Sequence, residues 1–383
     1  MSKNINRDYQ VVETLSELKM VADLFKKEKA IAVDLEADSM YHFKEKVCLI
    51  QMATPDINIV IDPLKTDDLS PLRPLFENPG IKKIFHGADY DVRSLYRDFK
   101  ININHLFDTQ LACMFLGMSE TGLEATVKKW FKVGLNKKYQ RKDWSKRPLS
   151  QDMITYAAAD TLYLLPLAKI LEEKLKKLGR LSWVKEECHY LSKVRAASAN
   201  HEPLYLKFSG AGRYDKRSLA VLEALLQYRK KIAKIKDKPL FKVIGNNSLM
   251  KLATIRPYNL SLIEKTKALS PRQVRIHGDA IIDIIKKTLK MPESSLPVYP
   301  HKKASPLPPQ IPKRIKGIKE WRDTVANDLK IDPSLLFNKA ILTAIALQNP
   351  KNIHSFQDIK GIKNWQKNEF GEKIISILKK MDN

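Results

Sequence analysis

Apolar runs separated by polar turns predict alternating strands and helices over the first 190 residues. Apolar and alternating runs predict strands at residues 29–36, 47–54, 58–62, 83–86 and 105–107. Helical spacing of apolar positions predicts helices at residues 16–28, 90–99, 109–116 and 150–178. The connection between the second and third strands is short, which favours antiparallel neighbours. The pattern therefore predicts an α/β domain with a mixed sheet and helices on its faces.

The rest of the chain has the apolar spacing of amphipathic helices. Leucines recur on one helical face from Leu219 to Leu226. Seven prolines between Met291 and Arg314 predict a stiff, partly extended linker, and helical spacing resumes after it. We therefore predict a first domain at residues 1–195, a small all-α domain at 205–291, a Pro-rich linker at 292–314 and a second small all-α domain at 315–383.

Positive charge is concentrated in the helical half of the chain. The 383 residues include 68 Lys and Arg against 43 Asp and Glu, a formal net charge of +25. Residues 201–383 hold 36 of the basic residues and only 16 of the acidic ones. Such a balance favours a polyanionic partner, and nucleic acid is the usual one. A lysine-rich surface that serves solubility alone is the alternative.

Other features narrow the class of protein. Cys48, Cys113 and Cys188 are far apart and form no CxxC pair, so we expect reduced, buried thiols and no zinc site. The polar N-terminus lacks a signal peptide's apolar stretch, and no apolar run reaches the length of a spanning helix. No Walker-type phosphate-binding loop occurs, so we expect no nucleotide cofactor. We expect a cytoplasmic monomer with no membrane partner.

Three short motifs place acidic side chains at strand and helix ends. Asp34 and Glu36 are two positions apart on a strand, so both point to the same side of it. Asp91 lies in the first turn of a predicted helix, where the helix dipole also favours a carboxylate. Tyr156 and Asp160 are four positions apart on one helical face. Each motif alone is compatible with an ordinary solvated end of an element.

Together these acids indicate a metal site. Several carboxylates in one α/β domain repel one another unless cations lie between them. Hard oxygen ligands suit Mg²⁺ or Mn²⁺. Two such ions can activate a water and stabilise the leaving oxygen of a phosphodiester. The motifs therefore favour an enzyme that hydrolyses nucleic acid.

The same motifs resemble those of the DEDD superfamily of 3′→5′ exonucleases, in its tyrosine branch. Residues 107–112 and 140–149 are similar to stretches of ribonuclease D, and the resemblance covers about residues 10–180. Residues 213–290 and 315–381 each resemble the helicase-and-RNase-D C-terminal (HRDC) domain. The resemblance implies an α/β ribonuclease-H-like core followed by two small helical domains that bind nucleic acid.

The resemblance also implies a role for each residue of the motifs. Glu36 and Asp160 would bind the metal ion on the nucleophile side, Asp34 would bridge two divalent ions, and Asp91 would hold the second. Tyr156 would orient the attacking water, because a phenol with an ordinary pKa of about 10 is a poor general base. The implied activity releases nucleoside 5′-monophosphates from RNA 3′ ends. The implied substrates are transfer RNA precursors and other small structured RNAs.

A basic stretch with interleaved aromatic residues follows in the same half of the chain. We expect Trp144 to be buried in the core. RNA contacts are predicted at Lys137, Lys138, Arg141, Lys142 and Arg147.

Two other functions stay open, namely a DNA 3′→5′ exonuclease and a non-catalytic RNA-binding protein. The complete set of acids favours an enzyme over the second of these.

Overall fold

The computed structural model describes residues 8–66, 68–196, 202–300 and 307–382. These residues form two units. The first holds residues 8–37, 47–196 and 307–382, and the second holds residues 38–46 and 202–300. The first seven residues of the chain, and residues 301–306 of the predicted linker, lie outside the described part.

A six-stranded mixed sheet forms the centre of the first unit, in the order β1-β4-β3-β2-β5-β6. The strands are β1 (Gln10–Val12), β2 (Ala30–Ala37), β3 (Val47–Ala53), β4 (Asn58–Ile61), β5 (Lys82–Phe85) and β6 (Leu106–Asp108). β3 is antiparallel to β2 and β4, and the other neighbours are parallel. Every residue of β3 is buried, as expected for a strand covered on both faces. The predicted mixed sheet is confirmed, and β1 is a strand that the sequence pattern did not predict.

Helices flank this sheet. They are α1 (Leu15–Phe25), α2 (Pro63–Thr66), α3 (Arg73–Glu77), α4 (Asp89–Phe99), α5 (Thr109–Phe115), α6 (Leu123–Phe131), α7 (Gln151–Thr161), α8 (Leu164–Lys177) and α9 (Leu181–Leu191). The prediction of one helix over 150–178 was wrong, since α7 and α8 are separate. Pro166 explains the break, because it offers no N–H to the carbonyl of Leu162 and its ring clashes with that carbonyl.

The stretch Gln151–Lys177 is long and apolar enough to cross a membrane, judged by length and composition alone. In this structure 44% of its apolar window is buried. α7 packs on β2, β3 and β4, while α8 packs on β2 and β5. Both helices therefore pack on the sheet of the first unit.

The second unit is helical and has its own hydrophobic core. Its helices are α10 (Lys216–Ile235), α11 (Leu240–Val243), α12 (Asn246–Ile255), α13 (Leu260–Thr266) and α14 (Pro271–Leu289). Residues 38–46, which connect β2 to β3, also belong to this unit. Phe43 packs against its core, and the Phe43 N–H donates to Asp237 at 3.0 Å. The predicted all-α fold class of this part of the chain is confirmed, and it includes an inserted segment that the sequence did not indicate.

The last helices belong to the first unit. They are α15 (Gln310–Leu329), α16 (Pro333–Leu336), α17 (Lys339–Gln348) and α18 (Asn364–Asp382). Trp365 of α18 stacks on Trp183 of α9, with ring centroids 4.7 Å apart. The Glu186 carboxylate accepts the backbone N–H groups of Asn364 and Trp365 at 2.8 Å. The C-terminal helices therefore share one core with the α/β domain, and α15 already begins inside the predicted linker.

Candidate active site

A cavity of about 560 Å³ in the first unit gathers four of the five predicted catalytic side chains. Asp34 and Glu36 of β2 and Tyr156 and Asp160 of α7 line it. The two acids of β2 point to the same side, as strand alternation requires. Leu35 between them is buried, 8% exposed, in the main hydrophobic core.

Asp91, the fifth predicted residue, lies in the first turn of α4 and is 7% exposed. It is close enough to the others to act on them electrostatically, because its charge helps to raise the pKa of Glu36. Asp34 in turn raises the pKa of Asp91. The structure therefore brings all four predicted carboxylates into one electrostatic group.

Asp108 positions the helix that carries Asp91. Its carboxylate accepts the N–H groups of Gly87 and Ala88 at 2.9 Å, and that of Gln110 at 2.8 Å. It thereby ties the turn before α4 to the start of α5. Gly87 has a φ of +79°, and a Cβ there would lie 2.8 Å from Oε1 of Gln110. The positive φ therefore favours a glycine where the two turns meet.

Asp91 is buried, the other three carboxylates are half-buried, and all four repel one another. Burial raises the pKa of Asp34 to about 7. Burial and then the charge of Asp34 raise the pKa of Asp160 to about 8. The pKa values of Glu36 and Asp91 lie well above their usual range, through burial first and neighbouring carboxylates second. Without compensating cations, these groups therefore hold protons near neutral pH.

The donor set fits hard divalent cations. Clustered carboxylate oxygens without a balancing charge are the ligands that Mg²⁺ and Mn²⁺ prefer. The described residues contain no preassembled group of three or more His, Cys, Asp or Glu side chains arranged to hold a metal ion. Asp34, Glu36, Asp91 and Asp160 are the residues whose mutual repulsion a bound cation would relieve.

Tyr156 lines this cavity and packs near two aromatic rings. Its ring centroid is 5.8 Å from that of Tyr139 and 6.1 Å from that of Trp144. Burial first, and then the neighbouring carboxylates, raise the pKa of Tyr156. The phenol therefore stays neutral and can donate a hydrogen bond, in agreement with an orienting role. Trp144 is 1% exposed, which confirms its expected position in the core.

His86 is a cavity residue that the sequence motifs did not single out as functional. Its Nδ1 lies 2.9 Å from the Thr109 hydroxyl, and that hydroxyl donates to the carbonyl of Phe85. Nδ1 is therefore the donor of this pair. Burial lowers the pKa of His86, which favours a neutral ring. Its position at the end of β5, directly before the turn that leads to Asp91, is the sequence feature that could have identified it as a cavity residue.

The predicted RNA-contacting residues occupy different environments. Lys137 lines the cavity and forms an ion pair of 2.5 Å with Glu124. The ammonium group of Lys138 lies 5.1 Å from the centre of the Tyr139 ring. Arg141 and Lys142 are exposed.

Arg147 does not have the environment predicted for it. Its Nε and Nη2 donate to the two oxygens of Asp62 at 2.6 and 2.7 Å, and Nη2 also donates to the carbonyl of Cys48. Its Nη1 donates to the carbonyls of Trp144 and Lys146. These bonds use all five N–H groups of the guanidinium. Arg147 therefore holds the loop to the sheet, and its donors are all used within the protein, which favours a structural role over the predicted RNA contact.

We expect Arg147→Lys to lower stability without weakening RNA binding. Lysine keeps the charge but loses the planar fork that binds Asp62, whose side chain is 4% exposed. The expected loss is about 2–3 kcal/mol, measured by thermal denaturation. Lys142→Gln should show the opposite pattern, with weaker RNA binding and an unchanged midpoint. If the Arg147→Lys protein kept full stability but bound RNA poorly, Arg147 would be an RNA contact after all.

The C-terminal helices support one wall of the cavity. Glu120 and Gly122 of the loop between α5 and α6 line the cavity. At the base of that loop, a Cβ on Gly117 would lie 2.1 Å from the carbonyl oxygen of Lys330. Buried Arg180 donates to the carbonyl at the end of α5 and, at 2.9 Å, to that of Leu329 at the end of α15. The loop that forms this wall of the cavity is therefore held in place by contacts with the end of α15.

Comparison with known proteins identifies the family of this chain. A family model described as 3′-5′ exonuclease matches residues 9–176, and a model of the HRDC domain matches residues 218–285 and 312–378.

The protein "Ribonuclease D" of Haemophilus influenzae is 30% identical over 292 residues, which cover 76% of this chain and 73% of that protein. That of Pseudomonas paraeruginosa is 27% identical over 350 residues, which cover 91% and 92%. The crystal structure of Escherichia coli RNase D, described as an exoribonuclease involved in structured RNA processing, matches with a TM-score of 0.73 at 26% identity, over 97% of this chain and 99% of that one. The predicted fold class and family resemblance are confirmed.

Proposed function

Because the chain belongs to the ribonuclease D family and is a 3′→5′ exoribonuclease, we propose that it hydrolyses RNA with two divalent metal ions and matures structured RNAs. The observation that supports the metal-dependent mechanism is a cavity lined by Asp34, Glu36 and Asp160, with Asp91 close enough to interact with them electrostatically. We infer that transfer RNA precursors and other small structured RNAs are its substrates, and that it acts in the cytoplasm.

Asp34, Glu36, Asp91 and Asp160 would hold the two ions, Mg²⁺ or Mn²⁺. When bound, such ions supply an activated water and stabilise the charge that develops on a phosphodiester and its leaving oxygen. Tyr156, neutral and packed near two aromatic rings, would donate a hydrogen bond that orients the water. Asp108 keeps the Asp91 helix in place through the bonds to Gly87 and Ala88.

The surface around the cavity provides the proposed RNA contacts. Lys137 at the cavity and Lys138, Arg141 and Lys142 beside it place positive charge where an entering strand carries phosphates. Exposed lysines contribute affinity that depends on salt rather than on sequence. The entering strand would therefore be recognised by its backbone and its free 3′ end.

The test of this function compares three 5′-labelled substrates, namely a single-stranded RNA, the matching DNA and a transfer RNA with extra 3′ residues. Each is incubated with Mg²⁺, with Mn²⁺ and with EDTA. Stepwise shortening of both RNAs from the 3′ end, lost in EDTA, is the expected result. Shortening of DNA alone would favour a DNA exonuclease, and RNA binding without any shortening would favour a binding protein.

The acids of the cavity also predict how stability depends on pH in the absence of metal. Folding raises the pKa of Asp34 to about 7 and that of Asp160 to about 8, from about 3.9 in an unfolded chain. At a pH between the unfolded and the folded pKa values, these two groups are protonated in the folded state and ionised in the unfolded state. Their contribution to stability is therefore complete below about pH 4 and is lost as the pH rises through about 7 to 8.

We expect the thermal midpoint in EDTA to fall by several degrees as the pH is raised from about 5.5 to 8.5. Mg²⁺ should raise the midpoint most at the highest pH, where the acids are ionised. Asp160→Asn, which removes one of the two groups, should show a shallower fall. A midpoint in EDTA that does not fall, or a Mg²⁺ effect of equal size at every pH, would contradict the assignment.

A further inference from the structure

Tyr139, in the loop between α6 and α7, contacts Tyr156 but is not one of the predicted site residues. Its ring meets the ring of Tyr156 edge to face, with centroids 5.8 Å apart and planes inclined at 64°. Aromatic pairs of this geometry attract each other beyond the area that they bury. Tyr139 is half-buried and packs against the small hydrophobic cluster that contains Trp144. The ring of Tyr139 therefore acts on Tyr156 directly.

The position of Tyr156 is not fixed by close packing alone. Besides the active-site cavity, a further cavity of about 390 Å³ adjoins its side chain, and Tyr156 and Asp160 line both. Lys138, Tyr139 and Asp152 line the further cavity and not the active-site cavity. A ring with free volume beside it is not held by its surroundings as a close-packed core ring is. Tyr156 therefore needs a specific contact that keeps its phenol in the active-site cavity.

Two contacts hold Tyr139 itself in place. Its hydroxyl donates to Oδ2 of Asp152 at 3.1 Å. Asp152 lies in the first turn of α7, four residues before Tyr156 and therefore on the same face of that helix. The ammonium group of Lys138 lies 5.1 Å from the centre of the Tyr139 ring, a cation–π contact. Tyr139 is thus attached to α7 one turn before the residue that its ring contacts.

We propose that Tyr139 is a positioning residue for RNA hydrolysis, because its ring, anchored on Asp152, holds the phenol of Tyr156 in the active-site cavity. This inference rests on the proposed function, in which that phenol orients the attacking water. Without the Tyr139 ring, Tyr156 is free to turn toward the further cavity, and the water loses its hydrogen bond. A misplacement of about 1 Å in such a group can lower a rate by roughly 10²-fold.

Stacking on an RNA base is the other role open to this ring, since aromatic rings beside cations bind single strands in that way. The two roles predict different kinetics. A stacking contact stabilises the bound substrate and the transition state alike, so its loss raises KM. A ring that positions Tyr156 acts only in the transition state, so its loss lowers kcat and leaves KM unchanged.

The test is a double-mutant cycle, in which kcat and KM are measured on a single-stranded RNA in Mg²⁺ for the wild type, Tyr139→Ala, Tyr156→Phe and the double variant. We expect Tyr139→Ala to lower kcat about tenfold and to change KM less than about twofold. In the Tyr156→Phe background the same substitution should change kcat less than about twofold, because the hydroxyl that Tyr139 positions is already absent. Tyr139→Phe, which keeps the ring, should stay within about threefold of the wild type.

Tyr9→Ala is the matched control. Tyr9 packs against the same hydrophobic cluster, and its hydroxyl bonds that of Thr155 on α7 at 2.9 Å. Its ring makes no ring contact with Tyr156 among the described residues, and it lines neither cavity. The two Ala variants should lose similar thermal stability, but kcat should stay within about twofold of the wild type in Tyr9→Ala. Equal losses of kcat in both, a rise of KM alone in Tyr139→Ala, or an equal loss in both backgrounds of the cycle would overturn the proposal.

A crystal structure of Tyr139→Ala separates this inference from the proposed function. It should show the Tyr156 ring turned out of the active-site cavity and into the further one, whether or not the wild type cleaves RNA. A displaced ring in a protein that cleaves nothing would keep the positioning contact and reject the nuclease. A wild type that cleaves RNA, with Tyr156 unmoved in the variant, would reject the contact and leave the nuclease intact.

Discussion

Asp34→Asn is expected to lower the rate of RNA hydrolysis by roughly 10³-fold or more while it raises the stability of the metal-free protein. Asp34 raises the pKa values of Glu36, Asp91 and Asp160, so it is the carboxylate that interacts with all the others. Removing its charge removes part of the proposed metal site, and metal ions stabilise such transition states by several kcal/mol. The same change relieves repulsion inside the folded protein. Loss of activity with gain of stability is typical of a functional group held at a structural cost.

Asp89→Asn is the matched control for this substitution. Asp89 lies two residues before Asp91, but it is exposed and pairs with Arg93 at 2.8 Å on the outside of α4. Because exposed pairs contribute little, we expect an activity within about twofold of the wild type and a small change in midpoint. Hydrolysis rates at saturating Mg²⁺ and thermal midpoints in EDTA measure both effects. Equal losses in the two variants would contradict the assignment of Asp34.

Trp365→Ala is expected to give the largest loss of stability, about 3–5 kcal/mol, although Trp365 lies in a domain that resembles a nucleic-acid-binding module. Its ring stacks on Trp183 and meets the edge of Phe115, whose centroid is 5.7 Å away. Its Nε1 donates to Glu187 at 3.0 Å. Trp365 is 4% exposed, so the substitution leaves a large cavity in a core shared by α18, α9 and the end of α5.

Thermal denaturation measures this loss as a lowering of the midpoint by about 10 °C. Trp365→Phe, which keeps an aromatic ring in the stack, should lose less. Activity should fall on every substrate, a dinucleotide included, because the wall of the active-site cavity rests on α15. A Trp365→Ala protein with an unchanged midpoint and a selective loss of RNA affinity would show that the residue contacts RNA instead.

The strands and the acidic motifs could be predicted because their signals are local. β2, β3 and β4 are short apolar runs bounded by turns, and the two acids of β2 follow from strand alternation alone. Helix α7 and its Tyr156–Asp160 pair follow equally from helical spacing. β1 was missed because three residues, Gln10–Val12, are too few to show a period.

Features that depend on distant partners could not be predicted. A basic stretch does not reveal that the guanidinium of Arg147 will meet Asp62, 85 residues earlier in the chain. Nor does the apolar spacing of α18 reveal that Trp365 will stack on Trp183 rather than on its own domain alone. The segment 38–46, an ordinary polar connection in sequence, joins the second unit through Phe43. In each case the tertiary partner, and not the local pattern, determines the role of the residue.

The most direct test of the central claim identifies the first product released from a single-stranded RNA that is labelled on its 3′-terminal nucleotide. The full chain in Mg²⁺ should release labelled nucleoside 5′-monophosphate as the first product, and it should not cleave a circular RNA of the same sequence. Release should stop in EDTA and be roughly 10³-fold slower with Asp34→Asn. Labelled oligonucleotides as the first product, or mononucleotide release that continues undiminished in EDTA or in Asp34→Asn, would contradict a metal-dependent 3′→5′ exoribonuclease acting through these carboxylates.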